Sequence, residues 1–374
     1  MSAQSACRET DRGGDAAARG RETLGSRLDA RRTRLMPPAS TRGRWPKCSA
    51  RGALTSALMS TSAELGGRST HVREYYADLP NTRYAALETY MPSNLTISEQ
   101  LTYSTVRIEC LLSDGTAGTG TGFFYKCLDV DDQHVPVIVT NKHVIATAIE
   151  GRFHLTLRDD EGNPCTGQHL HISLGNFEQR WIRHPDPDVD MCVMPINPLL
   201  QEADTAGHRF FYVPLDKALI PSPTELDDLG ALEDVIMIGY PNGIWDHVNN
   251  MPIIRRGVTA THPNLNYEGR KEFMIDAACF PGSSGSPVFL YNNGSWANRA
   301  GGMVVGGVRV KLLGLLYAGP QHTASGEVQI VTVPTQQRAI AVSSIPNNLG
   351  LIIKSARLLE MDDVIRPLIA QAAA

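Results

Sequence analysis

The sequence predicts an all-β protein built in two halves. Three observations carry that expectation: short strands separated by Gly, Pro and Asn turns, a proline-rich break near the middle of the chain, and helical apolar spacing confined to its C-terminal end. At 374 residues, with 42% hydrophobic and 20% charged, the chain has the composition of a soluble globular protein long enough for two domains.

Residues 1–70 are rich in Ala, Arg, Gly and Ser and carry 13 Lys/Arg against 6 Asp/Glu. Such a segment buries too little surface to offset its chain entropy, so residues 1–90 are expected to be a disordered tail. A start at Met59 or Met91 would remove most of it. The formal net charge of -4 divides into about +7 for residues 1–70 and -11 for the remainder, which argues against a nucleic-acid partner. No stretch approaches about 18 apolar residues, so no membrane span is expected. Seven cysteines without a CxxC pair read as free thiols of a reducing compartment, hence a cytoplasmic protein.

The first half is expected over residues 91–200. Tyr103–Leu111 alternates with period two, a half-buried strand. Asp114–Gly122 reads as a Gly/Thr turn. Gly118, Gly120 and Gly122 suggest a dinucleotide loop, but they run into Phe123-Phe124-Tyr125, another strand, where a cofactor loop must open a helix. No cofactor is therefore expected. Val135–Thr140 is a buried strand ended by Asn141-Lys142-His143, so His143 stands at the rigid end of an apolar element. Strands follow at 153–158 and 169–174. His169 and His171 share a strand face, but with no third ligand in view they read as surface residues, not a metal site. Asp190 immediately precedes the apolar run Met191–Met194, which predicts a partly buried carboxylate in need of a partner. Asp188, of the same parity, is the reserve candidate.

Residues 201–231 are expected to be a linker and 232–345 a second half, with strands near 235–240, 250–259, 273–275, 287–291 and 308–317. Asn292–Gly307, with five glycines, reads as a mobile insertion. Residues 346–374 read as a C-terminal helix, with Leu349, Ile352, Ile353, Ala356 and Leu359 at helical spacing. Within the second half, Phe280-Pro281-Gly282-Ser283-Ser284-Gly285-Ser286 is a tight glycine-rich turn leading into an apolar strand. Ser284 there is a candidate nucleophile: a hydroxyl needs a base to react, and the attacked carbonyl needs fixed donors.

His143, Asp190 and Ser284 stand in that order, separated by 47 and 94 residues. Together with Gly120-Thr121-Gly122-Phe123, Thr140-Asn141-Lys142-His143-Val144, Ile238-Gly239-Tyr240-Pro241-Asn242-Gly243 and Gly282–Pro287, this pattern resembles the trypsin-like (chymotrypsin-fold) serine peptidases, and within them the bacterial HtrA/Deg-type peptidase domain. The resemblance covers roughly residues 100–335. It implies two packed six-stranded antiparallel β-barrels with a catalytic triad of His143, Asp190 and Ser284 in the cleft. It also implies an oxyanion hole from the Gly282 and Ser284 amides, and an edge segment, Tyr317-Ala318-Gly319, that pairs with an extended substrate. No PDZ pattern follows residue 335. Where trypsin has an aspartate just before the nucleophile this chain has Ser283, so activation by a cleaved N-terminus is not expected.

The implied activity is that of a serine endopeptidase acting on a protein or peptide, with no metal. Ala278, six residues before Ser284, occupies the floor of the primary pocket by the same resemblance, which implies a small or apolar P1 residue and not Lys/Arg. The alternatives are a catalytically silent or gated peptide-binding module on the same fold, and a cysteine-dependent hydrolase using Cys279. The oligomeric state has no signature in the sequence.

Overall fold

The computed structural model describes residues 95–130, 133–319, 321–326 and 341–372. The tail expected over 1–90 lies outside them.

The first half is a single antiparallel sheet. Its strands are β1 (Thr105–Leu112), β2 (Ala117–Val130), β3 (Gln133–Thr140), β4 (Ala148–Arg158), β5 (Pro164–Gly175), β6 (Ile182–Arg183) and β7 (Cys192–Pro195). They lie in the order β5-β4-β1-β2-β3-β7-β6. The six-stranded barrel implied by the resemblance is here a seven-stranded sheet, because the two-residue β6 adds to β7 at its edge. Six consecutive residues of β3, Val135–Thr140, are buried, as the unbroken apolar run predicted. Gly118, Gly120 and Gly122 belong to β2, not to a turn, since Ala117 already pairs with Leu111. A side chain at Gly120 would meet Val144 at 2.4 Å, so β2 passes too close to the His143 segment for anything larger.

The second half is a closed barrel of six strands. β8 (Asp234–Gly239), β9 (Ile253–Thr259), β10 (Glu272–Asp276), β11 (Pro287–Ala297), β12 (Met303–Ala318) and β15 (Leu349–Lys354) close in the order β10-β15-β12-β11-β8-β9. A separate ladder joins β13 (Gln321–Gly326) to β14 (Ala341–Pro346).

Three expectations change here. The helix expected from residue 346 begins only at Ala356 and runs to Ala372, and Leu349–Lys354 is a strand. Its apolar spacing suits either period over six residues, and the vacant place between β10 and β12 decides for strand. The expected insertion Asn292–Gly307 is a paired hairpin, in register from Asn292↔Arg309 to Ala297↔Met303. Trp296 lies across its glycines, within 3.0 Å of where a Gly307 side chain would begin. The expected linker 201–231 also does more than connect. Phe210, Phe211, Val213 and Leu215 are buried, and Leu215 exchanges backbone hydrogen bonds with Phe124 and Lys126 of β2.

One core joins the two halves. Phe123, Tyr125, Val137, Val139, Met191 and Val193 of the first sheet pack with Ile236, Ile238, Phe289, Leu315 and Ile353 of the barrel, and with Leu358, Met361 and Ile365 of the C-terminal helix. The chain's last helix is thus an internal wall of the molecule. Met361 is fully buried in it, so Met361→Ala is expected to cost about 2–5 kcal/mol. Urea denaturation followed by Trp fluorescence checks this; a helix lying loosely on the surface would give a change within about 0.5 kcal/mol.

Candidate active site

His143 is placed by the end of β3. After Thr140 the chain makes one turn of helix, Lys142–Ile145, anchored by the buried Val144 and Ile145. The imidazole projects outward with 49% of its surface exposed. Asp190 approaches from the loop before β7, held by the buried Val189 on one side and Met191 on the other.

The two side chains meet. His143 Nδ1 lies 2.5 Å from Asp190 Oδ2, and the His143 backbone N–H donates to Asp190 Oδ1 at 3.1 Å. A carboxylate only accepts, so Nδ1 carries a proton, and in the neutral ring Nε2 carries the lone pair. Asn141 Nδ2 donates to the Asp190 carbonyl at 2.7 Å, and Lys142 Nζ to the Asp186 carbonyl at 3.0 Å, tying the histidine turn to the aspartate loop at three residues. Asp188 is exposed, with its N–H on Asp186 Oδ1, and takes no part. The loop is braced from behind by the C-terminal helix: Arg357 binds Asp186 at 3.0 Å and Glu360 at 2.8 Å.

The serine turn is joined to this pair through one residue. Thr121 of β2, fully buried, donates its N–H to the Ser284 carbonyl at 2.9 Å and its hydroxyl to the Gly282 carbonyl at 2.9 Å. The same hydroxyl accepts from Tyr240 N at 3.1 Å, and the Thr121 carbonyl accepts from Thr140 Oγ1, next to the histidine turn, at 2.7 Å. Gly285, at φ +85°, leaves room for this: a side chain there would stand 2.0 Å from the Thr121 carbonyl.

Phe280–Ser283 is a tight turn closed by Ser283 N–H on the Phe280 carbonyl at 3.0 Å, with Pro281 second and Gly282, φ +82°, third. That is the type II arrangement, which requires φ > 0 at the third position. The Pro281 carbonyl accepts from Asn242 N at 2.6 Å. Across a trans peptide the Gly282 N–H must then point away from Asn242. Arg255, on β9, grips the turn from below: its guanidinium donates to the Ala278 carbonyl and to Ser283 Oγ, the latter at 2.9 Å. Its Nε and a second terminal nitrogen are buried with no hydrogen-bond partner among the described residues. Burial lowers the guanidinium's affinity for its proton.

Ser284 is half-buried. Among the described residues no hydrogen bond joins its hydroxyl to the His143 ring. Ala278 is half-buried beside the turn. Tyr317 sits at the bulge where the β12–β15 register slips between Leu316 and Ala318, its hydroxyl on Glu272 at 2.9 Å. On the other edge of β12 the β11 ladder stops at Leu315, and Leu316 bonds Gly285 and Ser286 of the serine turn, so Tyr317 and Ala318 continue the strand past the site and Gly319 follows its end. Cys279 is buried, and that burial pushes its thiol up to about 11, which disfavours the thiolate a cysteine hydrolase needs.

The sequence analysis did not single out Thr121, Asn242 or Arg255 for these roles. Thr121 and Asn242 lie inside quoted motifs, but nothing local marks their partners. The one signal for Arg255 is a cation inside the strand Ile253–Thr259. Thr121→Val keeps the shape and leaves the Gly282 carbonyl and Tyr240 N–H buried without a partner. A loss of about 1–3 kcal/mol per orphaned group is expected. Thermal unfolding of the variant checks it, and an unchanged melting point would contradict this role.

Residues 120–296 match the trypsin-like peptidase domain family. No curated protein matches the chain significantly by sequence. Similar solved structures include a serine endoprotease from Yersinia pestis, at 15% identity and TM-score 0.34, covering 72% of this chain and 64% of that one. The HtrA-type protease AlgW is similar at 14% identity and TM-score 0.36, over 73% of this chain and 62% of its own. Deg5 is similar at 19% and 0.35, over 75% of this chain and 100% of its own. The likeness thus spans less than two thirds of the length of the first two. The stretch that matches the trypsin-like peptidase domain family, Gly120 to Trp296, contains His143, Asp190 and Ser284.

Proposed function

We propose that the chain hydrolyses peptide bonds through Ser284, His143 and Asp190. The observation that carries the reading is the 2.5 Å contact of His143 Nδ1 with Asp190 Oδ2, made three residues along the chain from Thr140 of the Thr140–Thr121–Ser284 hydrogen-bond path. Ser284 Oγ would attack the scissile carbonyl as His143 Nε2 takes its proton. Asp190 keeps Nδ1 protonated and stabilises the imidazolium that forms. The oxyanion of the tetrahedral intermediate would sit on the Gly282 and Ser284 N–H groups. The Asn242 bond to the Pro281 carbonyl supports a donating Gly282 N–H, and each such donor is typically worth about 10²–10³ in rate. His143 then protonates the leaving amine, and water resolves the acyl-enzyme by the same route.

A fluorophosphonate probe tests the assembly. Stoichiometric labelling of the wild type, lost in Ser284→Ala and His143→Ala, is the expected result, with Asp190→Asn slower by about 10⁴. No labelling of a folded wild type would overturn the reading in favour of a peptide-binding module.

The substrate would be an extended polypeptide lying along Tyr317–Gly319, adding a strand to the free edge of β12. Ala278 at the pocket supports a small or apolar P1 residue. The Arg255 cation bound to the Ala278 carbonyl disfavours Lys and Arg there. A peptide-library cleavage profile is expected to be led by small and aliphatic P1 residues; one led by basic residues would refute this.

A further inference from the structure

The sheet of the first half gathers the histidines that the sequence left on a surface. His154 on β4 and His171 on β5 are direct cross-strand partners, His169 lies two residues along β5, and Glu109 stands on β1, the strand on the other side of β4. The missing third ligand is therefore present. One ligand atom from each of Glu109, His154 and His171 lies within 4.8 Å of the other two.

Hydrogen bonding sets the tautomers. His169 Nε2 lies 3.0 Å from the His247 carbonyl, which can only accept, so that nitrogen carries a proton, and in the neutral ring His169 Nδ1 carries the lone pair. His154 Nδ1 lies 3.3 Å from His169 Nδ1 and must be the donor in that contact. His154 Nε2 is left as a lone pair. A ring nitrogen freed in this way, behind a chain of N–H donors ending on a carbonyl, is the outer-shell arrangement of a metal-bound histidine.

We propose that Glu109, His154 and His171 bind one divalent transition-metal ion of the Zn²⁺ class, with His169 as the residue that positions His154. Two imidazoles and a carboxylate suit a borderline ion, whereas Mg²⁺ and Ca²⁺ take oxygen ligands. Ligand atoms about 3.4 Å apart, as tetrahedral bonds of about 2.1 Å require, are reached when these half-buried and exposed side chains close by about an ångström. Arg107 shares Glu109 through Oε1 alone, leaving the other oxygen for the ion, while its Nε is committed to the Gly243 carbonyl at 3.0 Å.

The site touches the loop that supports the serine turn. Trp245 lies 4.7 Å from the His154 ring and 5.8 Å from that of His169, three residues beyond Asn242. A bound ion would hold this loop, a consequence that rests on the peptidase reading while the site itself does not.

Cobalt reports the site directly. The untagged full-length protein, stripped with chelator, is titrated with Co²⁺ and followed by visible absorption, then with Zn²⁺ by calorimetry. One equivalent is expected, with ligand-field bands and without the thiolate charge-transfer band that a cysteine ligand would add. His171→Asn, at an exposed position, and Glu109→Gln are each expected to weaken binding at least tenfold. His169→Ala should do so by about 10–100-fold and shift the cobalt spectrum, as loss of an orienting partner does. Ser284→Ala should bind normally, which separates this site from the peptidase reading. No binding by folded wild type, a thiolate band, or unchanged affinity in His171→Asn would overturn the proposal.

Discussion

The hydrogen bonds of Thr121 set the spacing between the histidine-bearing and the serine-bearing half. A buried polar side chain must satisfy every donor and acceptor it brings, and Thr121 does so on both sides of the boundary between the halves: its N–H reaches Ser284 and its hydroxyl Gly282 and Tyr240 in the second half, and its carbonyl accepts from Thr140 in its own. The histidine and the serine come from different halves, so their relative position is a long-range quantity. One rigid residue in the middle of β2 sets it, and glycines are required around it because the backbones approach too closely for side chains. Gly239 and Gly285 each lie where a Cβ would collide with Thr121.

The serine turn is held from several directions at once. Asn242 takes the Pro281 carbonyl, Arg255 takes the Ala278 carbonyl and Ser283 hydroxyl, and Leu316 takes both the N–H of Gly285 and the carbonyl of Ser286. A turn so restrained has its N–H directions set before any ligand arrives, and preorganised donors stabilise developing charge most effectively. Arg255 is a costly means to that end, since part of its guanidinium is buried with no partner among the described residues. Its two neutral acceptors offset only some of that desolvation.

The aspartate loop depends on the far end of the chain. Arg357 of the C-terminal helix, itself paired with Glu360, anchors Asp186, while Leu358, Met361 and Ile365 of the same helix enter the shared core. Loss of that helix would act on the site through the loop as well as through global stability.

Much of the site was legible because its pieces are local. A serine on a glycine turn, a histidine at the end of an apolar strand and an aspartate before another apolar run are each set by a few neighbouring residues, and the chain order of the three completed the pattern. The alternation of β1 and the buried run of β3 were legible for the same reason. The sequence alone determined these elements and the residue types at their ends. Only the tertiary structure decided that Leu349–Lys354 is a strand, because the barrel needed one between β10 and β12, and that Asp190 and not Asp188 meets the imidazole. It also decided that Glu109, His154 and His171 share one place: strand pairing brings together residues 45 and 17 positions apart, and no local periodicity encodes a contact that only neighbouring strands create.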